Sequence, residues 1–207
     1  MPPPGAAAPV PRPTAVRVRV PATSANLGPG FDAFALALDL HDEVEVRLAG
    51  NDGEVRLEVH GEGAADLPRD ETHLVVRAVT AAFAALGRPR PGLVLRCTNR
   101  IPHGRGLGSS AAAVVAGLAA ARALGDADGR LGEDDLLALG VGFEGHVDNL
   151  AACLHGGLTL AWCEERPRVA RLTPLPSLRT LAFVPVERLA TAAARALLPS
   201  DVPHADA

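Results

Sequence analysis

Ile101-Pro102-His103-Gly104-Arg105-Gly106-Leu107-Gly108-Ser109-Ser110, followed by the alanine-rich run 111–124, decides how this chain is read. Three glycines in five positions carry the backbone through conformations that a β-carbon obstructs. Ser109 and Ser110 then begin a run of good helix formers that reaches Gly125, a natural residue to follow a helix. Upstream, Leu93-Val94-Leu95 reads as a short strand. Strand, glycine loop and helix N-terminus, in that order, turn free backbone N–H groups and a helix dipole onto an anion. The two serine hydroxyls add ligands for phosphate oxygens or a metal. The stretch is a candidate triphosphate-binding loop, although a tight turn into a core helix accounts for the same glycines.

The chain contains no lysine, which excludes a Walker A loop and a protein-kinase site. The spacing Gly-x-Gly-x-Gly-Ser-Ser also departs from the dinucleotide-binding Gly-x-Gly-x-x-Gly. Pro102, Gly106, Leu107, Gly108, Ser109, Ser110 and Ala111 instead match Pro-x-x-x-Gly-Leu-Gly-Ser-Ser-Ala, so the segment resembles the phosphate loop of the GHMP kinases. That resemblance implies ATP as co-substrate, with Pro102, His103, Gly104, Arg105, Gly106, Leu107, Gly108, Ser109, Ser110, Ala111 and Ala112 around its phosphates.

Length and composition set the frame. At 207 residues and 48% hydrophobic the chain is long enough to bury a real core as one large or two small domains. The longest apolar run is too short and too alanine-rich for a membrane span. A net charge of −4 argues against a nucleic-acid surface. Cys97, Cys153 and Cys163 are odd in number and lack Cys-x-x-Cys spacing, so buried thiols are expected and neither disulfides nor zinc. No signal peptide is visible, and a cytoplasmic location follows by default.

From the N-terminus, 1–14 holds six prolines without periodicity and reads as a disordered leader. Val16, Val18 and Val20 alternate with arginines as a half-buried strand does. Residues 33–40 and 44–48 suggest an apolar segment and a second strand, and Asn51-Asp52-Gly53 suggests a hairpin into a strand over 55–59. Asp70 or Thr72 is placed to cap a helix whose Val75, Val79, Ala82, Phe83 and Leu86 share one face, with Gly87 following. Glu133, Asp134 and Asp135 open another helix, interrupted at Gly140 and Gly142. Gly156-Gly157 leads into a strand over 158–162 that pairs with 169–172. Residues 179–186 read as a further apolar strand and 187–198 as an amphipathic helix ended by Pro199.

Three more segments carry chemistry. Pro21-Ala22-Thr23-Ser24-Ala25-Asn26-Leu27-Gly28-Pro29-Gly30-Phe31-Asp32 is dense in turn residues, and Asn26 and Asp32 serve as such in a plain connection. Phe143-Glu144-Gly145-His146-Val147-Asp148-Asn149-Leu150 gathers four side chains able to bind a metal, a proton or a hydroxyl, or else is a capped helix start. Thr191 and Arg195 sit four apart and share a helix face, where a solvated arginine is the plain reading. All three resemble segments of the homoserine kinases within the GHMP superfamily. Val147 replaces the usual proline of Glu-Gly-His-Pro-Asp-Asn, and Ala190 replaces a serine.

That resemblance implies phosphorylation of the side-chain hydroxyl of L-homoserine by ATP, in threonine biosynthesis. Asn26 and Asp32 then face the substrate, and an ammonium group calls for a carboxylate such as Asp32. Arg195 grips its carboxylate. Ser110 and Glu144 hold Mg²⁺, which prefers hard oxygen ligands. His146, Asp148 and Asn149 line the substrate side as catalytic candidates together with Thr191, Asn149 aiming the hydroxyl. Thr72, Leu74 and Val75 lie by the adenine, although core packing explains the last two as well. His155 is structural. The expected fold is α+β, with a sheet-and-helix ATP-binding domain over 15–172 and part of a ferredoxin-like domain over 173–207. The resemblance also implies a chain that stops within that second domain. A homodimer is an open expectation, as is a nucleotide-binding module without catalysis, or a GHMP kinase acting on another small alcohol.

Overall fold

The computed structural model describes residues 13–50, 53–189, 191–197, 199 and 201–205. The expected leader therefore lies almost wholly outside the described residues, as do Asn51 and Asp52 of the expected turn and Ala190.

The sheet is organised on one long strand. β1 (Ala15–Ala25) runs antiparallel to β2 (Phe34–Ala49) along its whole length, with a bulge between Pro21 and Ala22. The two apolar stretches over 33–48 thus form one strand. Its other edge carries β4 (Gly92–Asn99) at residues 43–49 and β5 (Leu158–Cys163) at residues 34–36, both antiparallel. β6 (Pro167–Leu172) pairs with β5, as the sequence suggests.

β3 (Val55–Gly61) pairs with β4, in parallel, and not with β2. The hairpin read from Asp-Gly is therefore wrong. β4 has been inserted between the two strands that the turn seemed to join. The connection from β3 to β4 runs through α1 (Leu74–Ala85), as parallel neighbours require a crossover.

α1 is capped by His73, not by Asp70 or Thr72. The His73 imidazole accepts the Val75 N–H at 3.3 Å, whereas Asp70 accepts the backbone and hydroxyl of Thr72 in a turn one step earlier. Val75, Val79, Ala82, Phe83 and Leu86 are buried as their spacing predicts. α2 (Ser109–Gly125) lies against α1 and β1, with α3 (Glu133–Glu144) and α4 (Asp148–His155) beside it. Its alanines make the close approach possible. At Gly117 a β-carbon would stand 2.5 Å from the Val75 carbonyl oxygen, so α1 passes over bare backbone there. Gly125 is the last helical residue, and Asp126 follows as the cap.

Gly140 and Gly142 do not interrupt α3. The cost of roughly 1 kcal/mol per helical glycine is offset by packing, since Leu150 of α4 lies against the space a Gly140 side chain would take. Leu118, Leu136, Leu137 and Leu150 are fully buried where these helices meet, each burial stabilising the fold by about 1.5–3 kcal/mol.

Beyond Leu172 regular structure nearly ends. Residues 179–186 form no strand among the described residues, and the helix expected over 187–198 is only α5 (Thr191–Arg195). A strand needs a neighbour to take its N–H and C=O groups, and this segment has none. Leu181 is 78% exposed and Phe183 88% exposed. Segment 186–189 is instead pinned as irregular chain: the Leu189 N–H donates to the Gly104 carbonyl at 2.7 Å, and the Arg105 guanidinium donates to the Val186 carbonyl.

Candidate active site

The glycine loop leaves β4 at Asn99 and enters α2 at Ser109. Its exit from the sheet is held by Asp42, a nearly buried β2 carboxylate that accepts the Arg100 and Ile101 backbone N–H groups at 2.6 and 2.9 Å. Burial raises the Asp42 pKa, and those two amides oppose the rise. Gly108 caps α2 in the left-handed region, φ 66°, with no side chain bonded to the helix end. A β-carbon there would meet the Thr23 hydroxyl oxygen at 2.0 Å. Only glycine fits, and the first-turn amides of α2 stay uncapped by any side chain, the state an anion site requires.

Thr23 ties three elements together. Its N–H donates to the Leu107 carbonyl at 3.1 Å, and its hydroxyl donates to Asn149 Oδ1 at 2.7 Å. With that oxygen engaged, Asn149 offers its amide NH₂ to the neighbouring space. Sequence reasoning gave Thr23 no role of its own, because it read 21–32 as a turn-rich connection, whereas β1 runs on through Thr23 to Ala25.

α3 ends at Gly145 in the left-handed region, φ 77°, and this turn delivers the acidic cluster. The Ser110 hydroxyl donates to Glu144 Oε1, bringing together the two expected metal ligands. His146 Nδ1 lies 2.9 Å from Asp148 Oδ1, and the same oxygen accepts the Asn149 N–H at 2.7 Å. Asp148 is 1% exposed. Its hydrogen bond raises the His146 pKa above the usual value, against burial, which lowers it. A buried carboxylate that fixes Nδ1 leaves Nε2 as the working nitrogen of His146.

The loop 26–32 is held in strained backbone, with positive φ at Asn26, Leu27 and Asp32. Asn26 Oδ1 accepts the Asp32 N–H at 2.9 Å, which closes the loop on itself. Arg195 then reaches Asp32: Nη1 donates to Oδ2 at 3.1 Å and Nη2 to Oδ1, while the guanidinium lies 5.3 Å from the centre of the Phe31 ring. The acid and base expected to meet the two ends of one substrate hold each other.

These parts surround one cavity of about 530 Å³, lined by Asn26, the loop 104–111, Glu144, His146, Asn149, Thr191 and the segment through Pro185 and Leu189. Asp148 sits behind it as the partner of His146, and Asp32 and Arg195 are not part of its lining. A second cavity, about 250 Å³ and more apolar, adjoins Ser109 and Ser110 from the other side and is lined by Leu74, Val75, His73 and His103. Leu74 and Val75 line this cavity, while Thr72 is not among the lining residues.

The GHMP kinases N terminal domain family matches residues 73–157, which include the glycine loop and the acidic cluster. The chain is 53% identical over 203 residues to a homoserine kinase of Streptomyces avermitilis and 54% identical over 203 residues to one of Streptomyces coelicolor, in each case over 97% of this chain.

Residues 73–157 belong to the GHMP kinases N terminal domain family.

Among solved GHMP kinases, the crystal structure of homoserine kinase from Cytophaga hutchinsonii superimposes with a TM-score of 0.77 at 31% identity, over 93% of this chain. The chain spans 66% and 65% of the two Streptomyces relatives and 62% of the Cytophaga chain. No helix among the described residues is long and apolar enough to cross a membrane.

Proposed function

We propose that the protein of this chain transfers the γ-phosphoryl group of ATP to the side-chain hydroxyl of L-homoserine. The observation that carries this reading is the convergence on one cavity of an uncapped helix N-terminus, a hydroxyl–carboxylate pair and a polar wall from α4. Phosphoryl transfer demands positioning and charge neutralisation more than covalent chemistry. The amides of residues 104–110 cradle the phosphates. Asn149, its oxygen held by Thr23, orients the acceptor hydroxyl through its NH₂ group. His146 Nε2, supported by Asp148, receives the hydroxyl proton. Thr191 closes the same wall.

Ser110 and Glu144 suit Mg²⁺. Both are hard oxygen donors already in contact, and no group of three or more His, Cys, Asp or Glu competes for a softer metal among the described residues. Two protein oxygens fit an ion that keeps waters and phosphate oxygens as its other ligands. When bound it supplies charge neutralisation at the phosphates.

L-homoserine brings an ammonium group to Asp32 and a carboxylate to Arg195, each charge replacing one half of the present ion pair. Both residues are more than a third exposed, so parting them costs about 1 kcal/mol or less. In this reading 15–172 is the ATP-binding domain, and 173–207 belongs to a second domain through which α5 reaches the substrate.

The test is phosphoryl transfer from ATP with L-homoserine, mevalonate or galactose as acceptor, followed by ³¹P NMR. The reading predicts O-phosphohomoserine alone, and a loss of about 100-fold or more in Glu144→Ala, the scale of losing one transition-state contact. Transfer to another acceptor would redirect the substrate assignment. ATP binding without transfer to any acceptor would favour a nucleotide-binding module.

A further inference from the structure

Thr23 is fully buried near the end of β1, where valine has the same shape and as strong a preference for strands. Packing alone does not call for its hydroxyl. That hydroxyl donates to Asn149 Oδ1 at 2.7 Å, while the Thr23 N–H holds the glycine loop through the Leu107 carbonyl at 3.1 Å. Gly108 lies between them. A β-carbon there would stand 2.0 Å from the Thr23 hydroxyl oxygen and 3.1 Å from Asn149 Oδ1. The strand, the last loop residue and the carboxamide thus meet at one point. Nearby, Cys153 Sγ donates to the Pro21 carbonyl at 3.6 Å, a second tie between α4 and β1.

We infer that Thr23 is a positioning residue whose hydroxyl sets the Asn149 carboxamide at a fixed distance from the start of α2, and so favours an alcohol over water as phosphoryl acceptor. This rests on the kinase reading above and adds what selects the acceptor. In transfer, the homoserine oxygen bonds the γ-phosphorus, the bond to the β,γ-bridging oxygen breaks to leave ADP, and the hydroxyl proton passes to His146 Nε2. In hydrolysis a water oxygen takes the place of the alcohol, a water proton goes to solvent, and the product is inorganic phosphate. The alcohol is a bulky acceptor that must be aimed, and a misplacement of about 1 Å costs on the order of 100-fold. Water reaches the phosphorus from any open direction. Without the Thr23 hydroxyl, Asn149 Oδ1 is left unpaired against the loop, and the carboxamide turns away to find another donor. The nucleotide site, built on the amides of the loop and α2, keeps its shape.

The experiment compares Thr23→Val, Thr23→Ser and Asn149→Ala in the full chain, with ATP, Mg²⁺ and L-homoserine. O-phosphohomoserine and inorganic phosphate are counted by ³¹P NMR. In Thr23→Val, which keeps the shape of the side chain, kcat for transfer falls about 10- to 100-fold and the share of inorganic phosphate rises, with KM for ATP unchanged. Thr23→Ser restores transfer. The double variant Thr23→Val/Asn149→Ala is no slower than Asn149→Ala alone, because the two act through one bond. A readout without turnover is the Asn149 side-chain NH₂ resonance, which moves in Thr23→Val and returns in Thr23→Ser. Undiminished transfer in Thr23→Val would overturn the inference, as would a loss that falls equally on nucleotide affinity or that serine does not repair. An Asn149 NH₂ signal that ignores the valine would overturn it as well. If the unmodified chain made neither product, the kinase reading itself would fall, and the Asn149 resonance would still decide whether Thr23 fixes the carboxamide.

Discussion

Residues 15–172 and residues 173–205 are built from similar amounts of aliphatic side chain and end in opposite states. In the first region Val75, Val76 and Val79 of α1, Val114, Val115 and Leu118 of α2, and Leu93 and Leu95 of β4 are buried to a few per cent exposure. In the second, Leu175, Leu178, Leu181, Phe183 and Val186 are all at least 61% exposed. The difference is one of partners. An apolar residue stabilises a fold only where another element covers it, and the described residues of the second region meet the rim of the glycine loop, the strained loop 26–32 and Asp66 through polar contacts. Its contacts are correspondingly polar: Leu189 with Gly104, Arg105 with Val186, Arg188 with Asp66, Arg195 with Asp32. The first region supplies the glycine loop, Glu144, His146 and Asn149 to the cavity. Among the described residues, the second reaches the cavity through Pro185, Leu189, Thr191 and Ala194.

Stability measurements give the largest separation between the two. Leu118→Ala removes a fully buried side chain at the helix junction and should cost about 2–5 kcal/mol in chemical denaturation. Leu181→Ala, in the exposed region, should stay within about 0.5 kcal/mol. Comparable losses at the two positions would mean that the second region is packed after all.

A smaller effect separates the regions at His146, where both act on one ring. Asp148, from the first region, raises its pKa, and the charge of Arg195, from the second, lowers it slightly. Because the folded value lies above the ordinary 6.5, protonation of His146 favours the folded state. That contribution is complete below 6.5 and disappears as pH rises through the folded value. Asp148→Asn should therefore lower the His146 pKa seen by NMR, and its stability deficit should shrink as pH rises past 6.5. A pH-independent remainder is expected from the Asn149 N–H that Asp148 also binds. Arg195→Ala should move the pKa the other way, and less. An unchanged His146 in Asp148→Asn would break the proposed dyad.

The glycine loop was legible because its geometry is local: the strand before it, the glycines and the helix start lie within one short stretch. The order of the sheet was not. Alternation along 44–48 and 55–59 shows two strands but not who their neighbours are, and β4 arrives between them from more than 30 residues further on. The apolar run 179–186 looks like a strand on its own terms, yet strand character belongs to a ladder and none is available. His73 was passed over for Asp70 and Thr72 as a cap, since carboxylates and hydroxyls are the commoner choice. The bond from Thr23 to Asn149 spans 126 positions and left no mark in local pattern.

Backbone amides at the start of α2 replacing an absent lysine is the central claim, and amide chemical shifts test it directly. On titrating the chain with a nonhydrolysable ATP analogue and Mg²⁺, the account predicts the largest movements at residues 104–112, with 175–184 nearly still. Saturable binding that left residues 104–112 unmoved would contradict it.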